Sequence, residues 1–191
     1  NATKIKEDTP FKNPEDKRKY AEVSDLKDKA NALFKSNELA KASEKYYEII
    51  NTVRTTQWFK GSNQGETLEK SCRLNLALCK IKLKEYDVAI DQCERVLLDE
   101  PQNLKALFRI SVALDSQTKP LEAWTYIKRA HGIDSKDKDI SVLFTKVQTL
   151  RDGIMEERNK QKQGNKAQKH DKQKGEFSQI WSPMGIWSLS D

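Results

Sequence analysis

Two pairs of polar side chains indicate binding chemistry in this sequence. Lys27 precedes Asn31 by four residues, and Lys105 precedes Arg109 by the same interval. Residues four apart on a helix share one face, so each pair would present its two side chains together. Lysine and arginine form charge-assisted hydrogen bonds with carboxylates, and asparagine adds neutral amide donors. These residues therefore favour the binding of an anionic group.

Residues for the common catalytic mechanisms are scarce. The two histidines are His131 and His170, no Cys or Ser lies in a nucleophile motif, and no glycine-rich phosphate loop is present. The three cysteines, Cys72, Cys79 and Cys93, form no CxxC pair and predict neither a disulfide framework nor a zinc site. We interpret them as small buried residues on helices. We predict no enzymatic activity, no metal and no cofactor.

An internal repeat supplies the elements that position the polar pairs. Residues 70–103 and 104–137 are consecutive copies of a 34-residue pattern, in which Ala89 aligns with Ala123. A third copy lies upstream at 23–56, and thirteen extra residues separate it from the second. A period of this length is typical of helical solenoids, in which each unit buries its apolar face by stacking on its neighbours.

The apolar spacing predicts an all-α fold. The first helix is expected from Glu22, and the second after Glu38. We expect a loop at 55–66, with Trp58 and Phe59 capping the second helix rather than contacting a partner. The next four helices are predicted at 67–83, 86–98, 103–116 and 120–131, the last ending near Gly132 as its C′ residue. A long seventh helix from about residue 137 is expected to cover the last repeat with an apolar stripe. The stripe comprises Ile140, Leu143, Phe144, Val147, Leu150 and Ile154.

Composition narrows the class of protein. Of the 191 residues, 36% are hydrophobic and 34% are charged, which favours a helical, strongly solvated protein. The formal charge of +6 indicates an acidic partner. No apolar run approaches eighteen residues, so we expect no membrane span and a cytoplasmic location. Because the first residue is Asn and not Met, we expect a fragment of a larger protein.

The chain is expected to comprise four segments. Residues 1–20 have the composition of a linker or extended N-terminal segment, and 21–155 form the repeat domain with its capping helix. Residues 156–176 are basic and predict a solvated helical extension. Residues 177–191 are rich in large apolar side chains, including two tryptophans, and predict a docking segment. That segment would dock onto the chain itself or onto a partner, including a second copy.

The repeat spacing resembles that of the tetratricopeptide repeat (TPR), a pair of antiparallel helices with small residues at their crossing. The resemblance covers residues 23 to about 155 and is strongest to the TPR domains of the large immunophilins, of both the FK506-binding and the cyclophilin types. Those domains also carry a long insertion after the first repeat and a charged seventh helix. The resemblance implies three helix-turn-helix repeats in a right-handed superhelix. A prolyl isomerase domain of an immunophilin would lie outside these residues.

The resemblance also implies a binding site. In the TPR architecture, the first helix of each repeat lines a concave groove. Five residues match, position for position, the carboxylate clamp with which TPR co-chaperones bind the C-terminal EEVD tail of heat shock protein 90 or 70. They are Lys27, Asn31, Asn75, Lys105 and Arg109. Phe34 is a candidate wall for a pocket that takes the apolar residue before EEVD. Lys80 departs from the family pattern, which usually places an aromatic residue there. The replacement would either loosen the second repeat or send the aliphatic stem of the lysine along the surface.

Two other functions stay open at this stage. The groove could take a different acidic C-terminal peptide. Alternatively, the basic tail could bind nucleic acid, anionic lipid or calmodulin, although a charge run of this kind is most often a solvated face. The tail has no apolar interleaving before Phe177, which argues against an amphipathic calmodulin target. Its candidate contacts are Lys160, Lys162, Lys166, Lys169, Lys172 and Lys174.

Overall fold

The structure is a computed structural model that describes residues 14–60 and 62–181, with side chains given as far as Lys169 except that of Ala167. Within these residues there are seven α-helices and no strand, which agrees with the predicted all-α fold. No described helix is both long and apolar enough to cross a bilayer. The helices are α1 Pro14–Lys35, α2 Leu39–Thr55, α3 Asn63–Lys82, α4 Tyr86–Asp99, α5 Leu104–Ser116, α6 Pro120–Ile133 and α7 Lys138–Trp181.

The same turn joins the two helices of each repeat. Asn37, Lys84 and Thr118 follow α1, α3 and α5 in the left-handed backbone conformation, with φ values of 63°, 63° and 57°. In the first turn, the backbone N–H of Glu38 donates to the carbonyl of Leu33 at 2.9 Å, and equivalent bonds recur in the other two turns. This is the Schellman arrangement that satisfies the last carbonyls of a helix. The repeated turn confirms the three-repeat organisation predicted from the sequence.

Stacking of the repeats produces two apolar clusters that share helix α3. Leu68, Cys72, Leu76 and Cys79 of α3 are buried against α1, α2 and Phe59. Leu74 and Ala77 of the same helix are buried against α4, α5 and α6. A helix with apolar residues on two faces is expected where one repeat is covered on both sides. All three cysteines are free and buried, as predicted.

The insertion between the first two repeats lengthens α3 instead of forming a long loop. Helix α3 begins at Asn63, not near residue 67 as predicted, and the side chain of Ser62 caps it by accepting from the N–H of Gly65 at 3.1 Å. Phe59 is only 1% exposed. Its ring centroid lies 4.8 Å from that of Trp58, which in turn lies 6.1 Å from the ring of Tyr20 on α1. The two aromatic residues pack internally, as expected.

Two helix boundaries differ from the predictions. Helix α1 begins at Pro14, so residues 14–20 are helical and not linker, and residues 1–13 lie outside the described range. Proline suits the first turn of a helix, and Glu15 and Asp16 complement the positive end of the helix dipole. Helix α6 continues through Gly132 to Ile133, so that glycine is not the C′ residue.

Two compact units divide the chain, Asn1–Val147 and Gln148–Asp191. In the first unit, Phe144 stacks on His131 with ring centroids 4.1 Å apart and lies 5.1 Å from the Trp124 ring. Ile140 and Val147 are buried in the same cluster, so the start of α7 covers the last repeat as predicted. The other two residues of the predicted stripe lie in the second unit, where Leu150 is 45% exposed and Ile154 is half-buried.

The second unit contains the remainder of α7. Its side chains from Glu156 to Lys166 are exposed, in keeping with the predicted solvated extension. Residues 182–191 and the side chains of 170–181 lie outside the described part of the chain. The prediction that the tryptophan-containing segment docks, in cis or between copies, falls on those residues.

Candidate functional site

Two of the predicted site residues meet in a small hydrogen-bonded group between α1, α2 and α3. The hydroxyl of Tyr46 on α2 donates to Oδ1 of Asn31 on α1 at 2.7 Å. Nδ2 of Asn75 on α3 donates toward the same oxygen at 3.5 Å and toward the Tyr46 hydroxyl at 3.4 Å. The side-chain amides of Asn31 and Asn75 therefore contact each other and share the Tyr46 hydroxyl as a hydrogen-bond partner.

The Tyr46 hydroxyl is neutral at physiological pH. Its side chain is only 1% exposed, and burial raises its pKa to about 12, although the hydrogen bond from Asn75 opposes the shift. A buried hydroxyl costs free energy unless it is hydrogen-bonded, so the contact with Asn31 satisfies Tyr46 and orients Asn31 at once. With Oδ1 of Asn31 occupied as an acceptor, its NH₂ group is the part left to meet a ligand.

Arg109 is placed beside this group by a hydrogen bond to the backbone. Its Nη1 donates to the carbonyl of Leu74, the residue before Asn75, at 2.5 Å. The side chain is partly buried, and desolvation lowers the pKa of the guanidinium, opposed by the neighbouring thiols of Cys93 and Cys79. An arginine still carries its charge at neutral pH after such a shift. Arg109 thus brings a cation to the edge of α3.

The two predicted lysines are located less directly. Lys27 is half-buried, and its charge acts on Cys72 of α3, where it opposes the rise in thiol pKa that burial causes. Lys105 is exposed, one helical turn before Arg109. In the described part of the chain, no hydrogen bond joins either lysine to Asn31, Tyr46 or Asn75. Within the described residues, Lys27, Lys105 and Arg109 form no ion pair, so no internal carboxylate neutralises them.

A cavity of about 170 Å³ opens beside the two asparagines. Phe34 of α1 and Leu78 of α3 are among the residues that line it. Lys82 is exposed, and its Nζ lies 6.0 Å from the centroid of the Phe34 ring. The structure therefore brings Asn31, Asn75 and Phe34 to one cavity. Its lining is Asn31, Phe34, Lys35, Tyr46, Asn75 and Leu78.

A larger cavity of about 420 Å³ lies between α3 and α4 and includes none of the predicted site residues. Its charges are largely satisfied internally: buried Arg73 donates to Glu69 and to Gln92, and Lys70 pairs with Glu100. Such a network holds two helices together, and its paired charges offer little to a charged ligand. In the described residues, no group of three or more His, Cys, Asp or Glu is arranged to hold a metal ion.

Three residues of the site were not identified as site residues from the sequence. The sequence gives no site signal for Tyr46, because an aromatic residue on a repeat helix predicts packing. Leu78 and Lys82 follow Asn75 by three and seven residues and so share its helix face, which is a signal that the sequence did contain. The side chain of Lys80, the departure from the family pattern, is only 13% exposed, and its ammonium pairs with Glu85 at 2.7 Å.

Comparison with known proteins gives the fold a name. No family model matches the chain. The C-terminal TPR-containing domain of a Plasmodium falciparum FK506-binding protein superposes with a TM-score of 0.65 at 29% identity, over 75% of this chain and 95% of that one. The described helices have the TPR fold. They include no prolyl isomerase domain.

Sequence relatives point to the same group. Peptidyl-prolyl cis-trans isomerase FKBP42 of Arabidopsis thaliana is 40% identical over 83 residues, 41% of this chain and 23% of that protein. The chain spans about a fifth of the length of the curated relatives it matches. This TPR domain is thus similar to the TPR regions of immunophilins.

A third protein shares the fold. The myosin chaperone UNC-45 from C. elegans, solved with a Hsp90 peptide, matches with a TM-score of 0.58 at 22% identity, over 68% of this chain and 14% of that one. Its complex with a Hsp70 peptide matches with a TM-score of 0.60 at 25% identity, over the same shares of the two chains. These two structures are similar to this chain in fold.

Proposed function

We propose that this TPR domain binds the free C-terminal carboxylate and aspartate side chain of an EEVD-type tail, as found on heat shock protein 90 or 70. The observation that carries the proposal is the joined pair of amides, Asn31 and Asn75, with the unpaired cation of Arg109 anchored one residue away at Leu74. Lys27 and Lys105 would complete the clamp from the same helices. UNC-45, which shares the fold, has been solved with peptides of both chaperones.

The chemistry of a terminal aspartate suits this group. Its two carboxylates lie within a few ångströms of each other, and cations together with amide donors can hold both in fixed geometry. Arginine can form a bidentate pair, whereas lysine acts as a point charge. Each charge-assisted hydrogen bond contributes about 1.5–3 kcal/mol, so loss of one cation should weaken binding about tenfold or more.

Calorimetric titration with a peptide that ends in EEVD tests the proposal. The unmodified peptide should bind, and the same peptide with an amidated C-terminus should not. Lys105→Ala and Arg109→Ala should each weaken binding by about tenfold or more. Lys29→Ala is the matched control, since Lys29 is exposed on α1 two residues from Lys27 and so on another face. Equal binding of the amidated peptide would refute the clamp.

An alternative keeps the groove and changes its ligand to another acidic C-terminal peptide. Competition between EEVD peptides and peptides with other acidic ends separates the two. The basic helix in residues 156–176 supports a further alternative, the binding of a polyanion. Steep salt dependence that survives Arg109→Ala would favour that function. We also propose that this chain is part of a larger immunophilin and that the protein is located in the cytoplasm. The similarity to FKBP42 and to the domain of an FK506-binding protein supports the immunophilin parent.

A further inference from the structure

We propose that Lys82 is a specificity-determining residue that pairs with the first glutamate of the EEVD motif, the residue third before the terminal aspartate. The inference rests on the proposed function, because it assumes that the terminal aspartate lies at the two asparagines. It assigns to this chain a preference for an acidic residue at one defined position upstream.

The position of Lys82 along α3 carries the argument. Asn75, Leu78 and Lys82 share one face of α3, being separated by three and four residues. A helix rises about 1.5 Å per residue, so Lys82 lies about 10 Å along the axis from Asn75. An extended peptide advances about 3.4 Å per residue, so about three peptide residues cover that distance. A peptide that extends along α3 from Asn75 would therefore bring the residue three positions before its terminal aspartate, the first glutamate, to Lys82.

The surroundings of Lys82 leave its charge available. It is exposed and forms no ion pair among the described residues, and the nearby Glu85 is already engaged by Lys80 at 2.7 Å. Its ammonium lies 6.0 Å from the Phe34 ring, at the reach of a cation–π contact. That contact would hold the ammonium at the mouth of the cavity. If the apolar residue before EEVD packs on Phe34, the next residue of the peptide is the first glutamate, which would then lie close to Lys82.

A double-mutant cycle tests the inference. The affinities of the intact domain and of Lys82→Ala are measured for an EEVD peptide and for two peptides in which the first or the second glutamate is replaced by glutamine. An exposed ion pair predicts that Lys82→Ala lowers the affinity for the parent peptide about two- to fivefold. Replacing the first glutamate by glutamine should lower the affinity for the intact domain by the same factor. The same replacement should not lower the affinity for the Lys82→Ala variant any further. Lys128→Ala, an exposed lysine on α6, should change none of these affinities.

The outcomes distinguish the two proposals. If the parent peptide binds only with a free C-terminus and the first glutamate couples to Lys82, both stand. If it binds with a free C-terminus but couples to Lys82 through the second glutamate or through neither, this inference is wrong and the clamp remains. If binding does not require the free C-terminus, the clamp itself fails, and the register that this inference assumes fails with it.

Discussion

The hydroxyl of Tyr46 offers a sharp test of the site, because one oxygen atom links both asparagines. Tyr46→Phe removes the 2.7 Å bond to Asn31 and leaves Oδ1 with only the 3.5 Å contact from Asn75. A neutral hydrogen bond contributes about 0.5–1.5 kcal/mol to stability, and the free energy of unfolding should fall by that amount. Because Asn31 and Asn75 lose their common anchor, the affinity for an EEVD peptide should fall about two- to tenfold.

Two measurements on the Tyr46→Phe variant are needed. Urea unfolding gives the change in stability, and calorimetric titration with the peptide gives the change in affinity. Tyr47→Phe is the matched control, since Tyr47 is the next residue on α2 and is 41% exposed. The control should change neither quantity. A Tyr46→Phe variant that loses stability but binds the peptide as tightly as the parent would refute the reasoning, because the hydroxyl would then serve packing alone.

Three further predictions concern stability. Burial raises the pKa of Cys72 and Cys79 to about 11 and of Cys93 to about 12, above the ordinary value of 9.0, so the unfolded chain loses these protons first. Stability, followed by urea unfolding, should therefore fall as the pH rises from about 9 to about 12, and a flat profile would contradict this. Gly65→Ala should be destabilised by about 1–3 kcal/mol, because its Cβ would lie 2.2 Å from the carbonyl oxygen of Phe59. Gly132→Ala, with nothing within 4 Å, should gain about 0.5–1 kcal/mol; equal effects of the two substitutions would contradict the geometry. Thr118→Gly should raise the melting temperature, since a β-branched residue at φ 57° stores about 1–2 kcal/mol of strain.

The repeat period predicted most of the fold, and the turn chemistry explains why its details were harder to predict. Lys84 and Thr118 are 34 residues apart and occupy the same left-handed position in successive repeats. Neither residue favours that conformation, so no local signal marks the turn. The stacked helices enforce it, because each turn must bring the second helix back onto the first. Tertiary packing has overridden local preference at these positions.

The insertion shows how a glycine can mislead. Glycines in a polar segment predicted a loop to residue 66, yet Gly65 lies inside the first turn of α3. Its lack of a Cβ serves close approach, because the backbone of Phe59 passes directly over it. The real helix start was marked by Ser62, whose side chain caps α3. In this segment the serine was the stronger signal, since capping acts locally and the close approach depends on the tertiary fold.

Part of the predicted site follows from the spacing of residues along a helix, and part depends on how the helices pack. The four-residue intervals fix which side chains share a helix face, so Lys105 with Arg109 could be paired from the sequence alone. The link between α1 and α3 runs through Tyr46, and no spacing predicts that a buried hydroxyl joins two amides.

The burial of the site residues follows from the cost of desolvating each kind of group. Neutral donors can be buried at modest cost once hydrogen-bonded, whereas buried charges are costly, which fits half-buried amides and a Lys105 that remains in solvent. Arg109 is half-buried as well, and it donates a hydrogen bond to the carbonyl of Leu74 rather than to a carboxylate. An internal carboxylate would stabilise its charge but would compete with a ligand, whereas a backbone carbonyl orients the guanidinium and leaves its charge uncompensated.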